Sequence, residues 1–153
     1  MDEAFRLEAL RSNDLPTDFG PFRLVRVLGQ GSMGRVFEAE RDGERIALKV
    51  IRPAQGPDVD TFRKVLEKEA QLGRLLVHPH IVPTKEIGET NGVPWLALEL
   101  VQGIDLASVL EAWGALPPRV ALTICSQLAG ALDHAHHLQG EDGPTPVVHR
   151  DLK

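Results

Sequence analysis

Three glycines at positions 29, 31 and 34, followed by Val36, stand between two short β-type runs. No other stretch constrains the fold of this chain as strongly. Glycine lets backbone N–H groups approach an anion without a Cβ in the way. The same residues also serve a bare structural turn, so the flanking sequence has to decide. In a dinucleotide-binding fold a G-x-G-x-x-G pattern opens a helix directly after a strand. Here the chain continues as Val36-Phe37-Glu38-Ala39 and then Asp42-Gly43, a strand closed by a hairpin signal. The loop therefore joins two antiparallel strands. This weakens an NAD-type reading, and the lack of a following Gly-Lys-Ser/Thr disfavours a P-loop.

Around this loop the β-type runs are Phe22–Leu28, Arg35–Arg41 and Arg45–Ile51, then Ile81–Glu89 and Pro94–Val101 joined by Thr90-Asn91-Gly92. Pro53 to Pro57 breaks the sheet pattern ahead of a helix over 62–76. From Asp105 to Leu138 the sequence reads as helix, with Pro117 and Pro118 where a second helix starts. Strands first and helices afterwards predict two unlike lobes joined near Gln102 and Gly103. Residues 1–21 read as a tail or a short lead-in helix, and residues 139–146 as a solvent loop.

Composition narrows the function. With 42% apolar and 25% charged residues in 153, the chain is globular. Its net charge of −5 is spread along the chain, which argues against a dedicated binder of nucleic acid or anionic membrane. The longest apolar stretch, Val120 to Leu138, is interrupted by Gln127, Asp133 and three histidines, so it is no membrane span. Asp2 and Glu3 stand at the start with no positively charged leader before an apolar core, so no signal peptide is expected. The single cysteine, Cys125, fits a reducing compartment and is expected as a buried small hydrophobe. A cytoplasmic location is the resulting expectation.

Three constellations carry chemistry. The glycine loop is the first. The second is Ala47-Leu48-Lys49-Val50-Ile51, where strand alternation puts Ala47, Lys49 and Ile51 on one face. A lysine there either marks an exposed face or has a partner. At about 100° per residue the helix over 62–76 puts Phe62, Val65, Leu66, Leu72 and Leu76 on one arc with Glu69 in its middle. Such a carboxylate needs a cation, because an unpaired buried charge is expensive, unless the helix is rotated so that Glu69 snorkels at the edge. A Lys49–Glu69 ion pair is the favoured reading. The third is Val147-Val148-His149-Arg150-Asp151-Leu152-Lys153, read as a short buried strand entering a polar loop. It is either a salt-bridged surface turn or an aspartate placed to accept a hydroxyl proton beside a lysine that neutralises developing charge. His134, His136 and His137 lack acidic or cysteine partners at ligand spacing, and a helix C-terminus explains them as well as a metal does.

In order, Gly29-x-Gly31-x-x-Gly34-x-Val36, Ala47-x-Lys49, Glu69 and His149-Arg150-Asp151-Leu152-Lys153 resemble the signature set of protein kinases. The resemblance runs from Phe22 to Lys153. The wording around the glycine loop and His78-Pro79-His80-Ile81-Val82 is similar to bacterial serine/threonine kinases of the eukaryotic type. It implies an α+β fold: a kinase small lobe over 22–101, with an antiparallel five-stranded sheet and one helix, then the first helices of an incomplete large lobe over 102–153.

The resemblance also implies roles. Gly29, Gly31 and Gly34 cover the ATP phosphates, Lys49 binds the α- and β-phosphates, and Glu69 anchors Lys49. Leu28, Val36 and Ala47 enclose the adenine, with Leu98 as gatekeeper and backbone groups of Glu99 and Val101 on the adenine edge. Asp105 reaches the ribose or caps the helix that follows it, or does both. Asp151 acts as catalytic base towards a protein serine or threonine, Lys153 stabilises the transferring phosphoryl group, and Arg150 pairs with a phosphorylated activation loop.

In the family pattern an asparagine three residues beyond Lys153 and an Asp-Phe-Gly motif hold magnesium. Neither is among the 153 residues, so no protein ligand for Mg2+ is assigned. The chain reads as a truncated kinase without appreciable activity alone, and a non-catalytic nucleotide-binding or scaffold module is the alternative. The apolar face of the helix over 120–138 is expected to be exposed and to favour self-association.

Overall fold

Asp42-Gly43 and Asn91-Gly92 each have positive φ at both positions, 54° and 79° in the first and 52° and 77° in the second. This is the geometry of tight hairpin turns that match the twist of the strands they join. In the computed structural model, which describes residues 6, 7, 9–31, 34–51, 72–140, 143–149 and 152, these turns organise one antiparallel sheet. Its strands are β1 (Thr17–Phe19), β2 (Phe22–Gly31), β3 (Gly34–Arg41), β4 (Glu44–Ile51), β5 (Thr84–Thr90) and β6 (Val93–Glu99), in the order β1-β2-β3-β4-β6-β5. The expected five strands are all present, and the short β1 adds a sixth at one edge through a hairpin at Gly20-Pro21.

The chain divides into two compact units. One comprises residues 1–74 with 83–100, and the other 75–82 with 101–153. In the first unit alternation sorts the side chains of the sheet. Leu24, Phe37, Ala39, Ile46, Leu48, Val50, Val93, Trp95 and Ala97 form the core on one face. The sheet curls, so Phe22 on β2 meets the Trp95 ring edge-on at 4.7 Å. Leu7 and Phe19, each 1% exposed, fill the same core, with Leu10 and Leu15 packed against it. Leu7, Leu10, Leu15 and Phe19 are thus part of the first unit's packing. A lead-in helical turn is present at residues 6, 7 and 9.

In the second unit α1 (Leu106–Trp113) and α2 (Pro118–His136) are separated where Pro117 and Pro118 predict the break. Only Ala131 and Ala135 of α2 are buried. Val120, Leu122 and Leu128 are exposed, as are Leu106, Leu110 and Trp113 of α1. Cys125 is exposed as well: periodicity located the apolar side of α2 but gave no means of telling which part of it is covered. The segment expected as a solvent loop carries a two-residue ladder, β7 (Gln139–Gly140) with β8 (Gly143–Pro144). Val147 and Val148 are not in a strand, and Val148 is 60% exposed. One backbone bond, from Val147 N–H to the Ala135 carbonyl, ties this stretch to α2. Among the described residues no helix is long and apolar enough to cross a membrane.

Candidate nucleotide site

The glycine pattern forms a hairpin between β2 and β3. Gly29 pairs with Val36, Gln30 with Arg35, and Gly31 with Gly34. No helix follows Gly34, so the loop is not that of a dinucleotide-binding fold. The three glycines differ in what they demand. Gly34 has φ of 141°, and a Cβ on it would sit 2.1 Å from the Val50 carbonyl oxygen, so no other residue fits. A Cβ on Gly29 or Gly31 would meet nothing within 4 Å. Packing therefore explains Gly34 but leaves the other two free for close approach by a ligand.

Next to the hairpin the ladders build two rungs on the sheet face opposite the core. Val36 is the partner of Lys49, and Lys49 of Leu96. Glu38 is the partner of Ala47, and Ala47 of Leu98. Directly paired residues share a face with their Cβ atoms about 5 Å apart, and successive rungs on one face are about 7 Å apart. The small Ala47 thus lies between Glu38 and Leu98, one rung from a lysine flanked by Val36 and Leu96. Val36, Lys49 and Leu98 are half-buried and Leu28 is exposed. The Glu99 N–H bonds the Pro83 carbonyl at 3.2 Å.

Glu38 is a residue that the sequence reading passed over. Its side chain is 4% exposed, and its two oxygens receive Arg26 Nε at 2.6 Å and an Arg45 Nη at 2.9 Å. A glutamate inside the apolar run Val36-Phe37-Glu38-Ala39, on the face of Val36, was the available signal.

In the second unit Asp105 is the N-cap of α1. It accepts the Ser108 N–H and the Ser108 hydroxyl, both at 2.8 Å. These two donors, the backbone N–H first, hold its carboxyl below the usual range. The capping role is therefore realised. Val101 is exposed. At the far end of α2 the His134 ring lies 5.3 Å from that of His78, which lies 5.5 Å from that of His80. Partial burial, with His134 and His80 nearby, lowers the pKa of His78. Among the described residues no cluster of three metal-ligand side chains occurs. Glu69, Arg150, Asp151 and Lys153 lie outside the described residues, and with them the Lys49–Glu69 pair.

The protein kinase domain family matches residues 22–153. The chain belongs to the protein kinase family. Its relatives are of the serine/threonine type. It is 42% identical over 137 residues to the serine/threonine-protein kinase PknH of Mycobacterium tuberculosis, covering 88% of this chain and 21% of that protein. It is 40% identical over 139 residues to PknD of the same organism, covering 90% of this chain and 20% of that protein. The crystal structure of the M. tuberculosis PknI kinase domain superposes with a TM-score of 0.65 at 37% identity, over 84% of this chain and 51% of that one. This kinase chain thus spans about a fifth of its curated relatives and about half of a solved kinase domain.

Proposed function

We propose that the chain is the ATP-binding part of a serine/threonine protein kinase, whose complete domain transfers a phosphoryl group from ATP to a protein hydroxyl. The observation that carries this reading is the pair of rungs beside the glycine hairpin. Ala47 gives a planar heterocycle room against the sheet, with Leu28 and Val36 closing over it and Leu98 behind. In the family pattern, backbone groups of Glu99 and Val101 meet its polar edge. About 7 Å along the strand, the Lys49 ammonium is placed for the α- and β-phosphates, and the backbone N–H groups at Gly29 and Gly31 approach them without an intervening Cβ. Glu69 anchors Lys49, Asp105 meets the ribose hydroxyls, Asp151 orients and deprotonates the substrate hydroxyl, and Lys153 offsets the charge on the moving phosphoryl group. Those last roles rest on the family pattern.

Magnesium supplies charge neutralisation in phosphoryl transfer. The asparagine and Asp-Phe-Gly residues that hold it in the family pattern are not among these 153. These residues by themselves are proposed to bind nucleotide without appreciable transfer. The exposed apolar side chains of α1 and α2 are proposed to drive self-association, which sedimentation at increasing concentration reads directly. Calorimetric titration with ATP and with NAD tests the site. ATP binding in preference to NAD supports the reading, and preferential NAD binding contradicts it.

A further inference from the structure

Arg35 follows Gly34 directly, and strand alternation sends its side chain to the core face, away from Val36 and Lys49. It is 8% exposed although it is an arginine. Its guanidinium donates to the carbonyls of Leu7 at 3.0 Å and Leu10 at 2.8 Å and lies 5.4 Å from the centroid of the Phe37 ring. Residues 6, 7 and 9 are helical, so these acceptors lie at the end of a helical turn, where carbonyls lack intrahelical donors. The same segment is held elsewhere too. Leu7 sits in the core beside Phe19, Phe22 and Phe37, Arg6 donates to the Asp18 carbonyl at 3.0 Å, and β1 pairs with the start of β2. The N-terminal segment therefore grips both arms of the glycine hairpin, β2 through its ladder and β3 through Arg35 at the hairpin's stem.

We propose that Arg35 is a positioning residue. By fastening residues 6–15 to the stem of the hairpin, it fixes the height of the Gly29, Gly31 and Gly34 backbone above the nucleotide. The clamp is a property of the fold, while its effect on ligand affinity rests on the nucleotide-binding reading above.

The test uses the whole 153-residue chain carrying Arg35→Gln, Arg35→Lys or Leu7→Ala, with Val93→Ala as a control that loosens the same core at a distance from the hairpin. Amide hydrogen exchange at Gly29, Gly31 and Gly34 is read against exchange in β4 and β6. Losing the two charge-assisted hydrogen bonds in Arg35→Gln, or the core side chain that anchors their backbone acceptors in Leu7→Ala, is expected to speed exchange at the glycines by about tenfold relative to those strands. Arg35→Lys, which keeps the charge but not the fork, is expected to fall between and carries the test if Arg35→Gln does not fold. Val93→Ala is expected to quicken the sheet without singling out the glycines. ATP affinity is expected to drop with glycine protection in the clamp variants and to hold in Val93→Ala. Exchange that quickens uniformly in the clamp variants, as in the control, overturns the proposal. ATP failing to bind the unaltered chain contradicts the nucleotide reading instead, and the exchange data still decide the clamp.

Discussion

Ala47 and Leu98 are direct cross-strand partners, and on its other side Ala47 faces Glu38. A small apolar residue is thus set between a larger apolar one and a buried carboxylate, one rung from Lys49. The rung is bounded on one side by an apolar side chain and on the other by an ion-paired acid.

The three glycines are expected to separate cleanly under substitution. Gly34→Ala forces a Cβ against the Val50 carbonyl at a φ that L-residues rarely adopt, and it should destabilise the first unit by about 2 kcal/mol or more. Gly29→Ala and Gly31→Ala meet open space and should leave the melting temperature nearly unchanged while weakening ATP binding. Thermal melts paired with calorimetric titration of the three variants check this. Equal destabilisation by all three would contradict the division of roles.

Glu38 is expected to depend on having at least one arginine rather than on either in particular. The two guanidinium side chains are 63% and 61% exposed, against 4% for the carboxylate. Arg26→Ala or Arg45→Ala alone should therefore cost under about 1 kcal/mol, as for exposed ion-pair partners. Removing both strands a buried carboxylate and should cost about 3 kcal/mol or more. Chemical denaturation of the two single variants and the double variant measures the non-additivity.

Stability of the second unit is expected to fall in mild acid through His78. Its Nδ1 accepts the His80 N–H at 3.2 Å, which requires an unprotonated nitrogen, and His134 and His80 face the ring. Asp133, His137 and Gln139 line the same cavity. Because the folded pKa is lowered, the unfolded chain takes up the proton first as pH falls. The contribution of His78 is therefore complete above about pH 6.5 and is lost as pH drops from there towards the folded value. Thermal melts from neutral pH downward should show this loss, and His78→Asn, which keeps an acceptor but does not titrate, should flatten it.

Much of the fold can be read from local chemistry. Asp42-Gly43 and Asn91-Gly92 mark the hairpins because two adjacent residues with positive φ are costly for most other pairs. Pro117-Pro118 marks the break between the helices because proline starts helices and does not continue them. The glycine hairpin and the Ala47–Lys49 face follow from strand alternation. What could not be read depends on contacts between distant residues. Leu7 and Phe19 look unremarkable in sequence, and only the curl of the sheet makes them core. The exposure of Cys125 depends on what covers α2, which periodicity does not reveal. Glu38 and Arg35 are charged residues in an apolar strand, and their roles appear once Arg26 and Arg45 are placed beside the first and the Leu7 and Leu10 carbonyls beside the second. The family match, in contrast, was carried by motifs in order, and the kinase relatives agree with it.

The most direct test of the account is the ATP affinity of the chain with and without Lys49. The side chain is half-buried between Val36 and Leu96, and Lys49→Met keeps its length and apolar stem while removing the charge. The account predicts that ATP binding is lost or falls by about tenfold or more in Lys49→Met, with little change in melting temperature. Equal ATP affinity in the two proteins would contradict it.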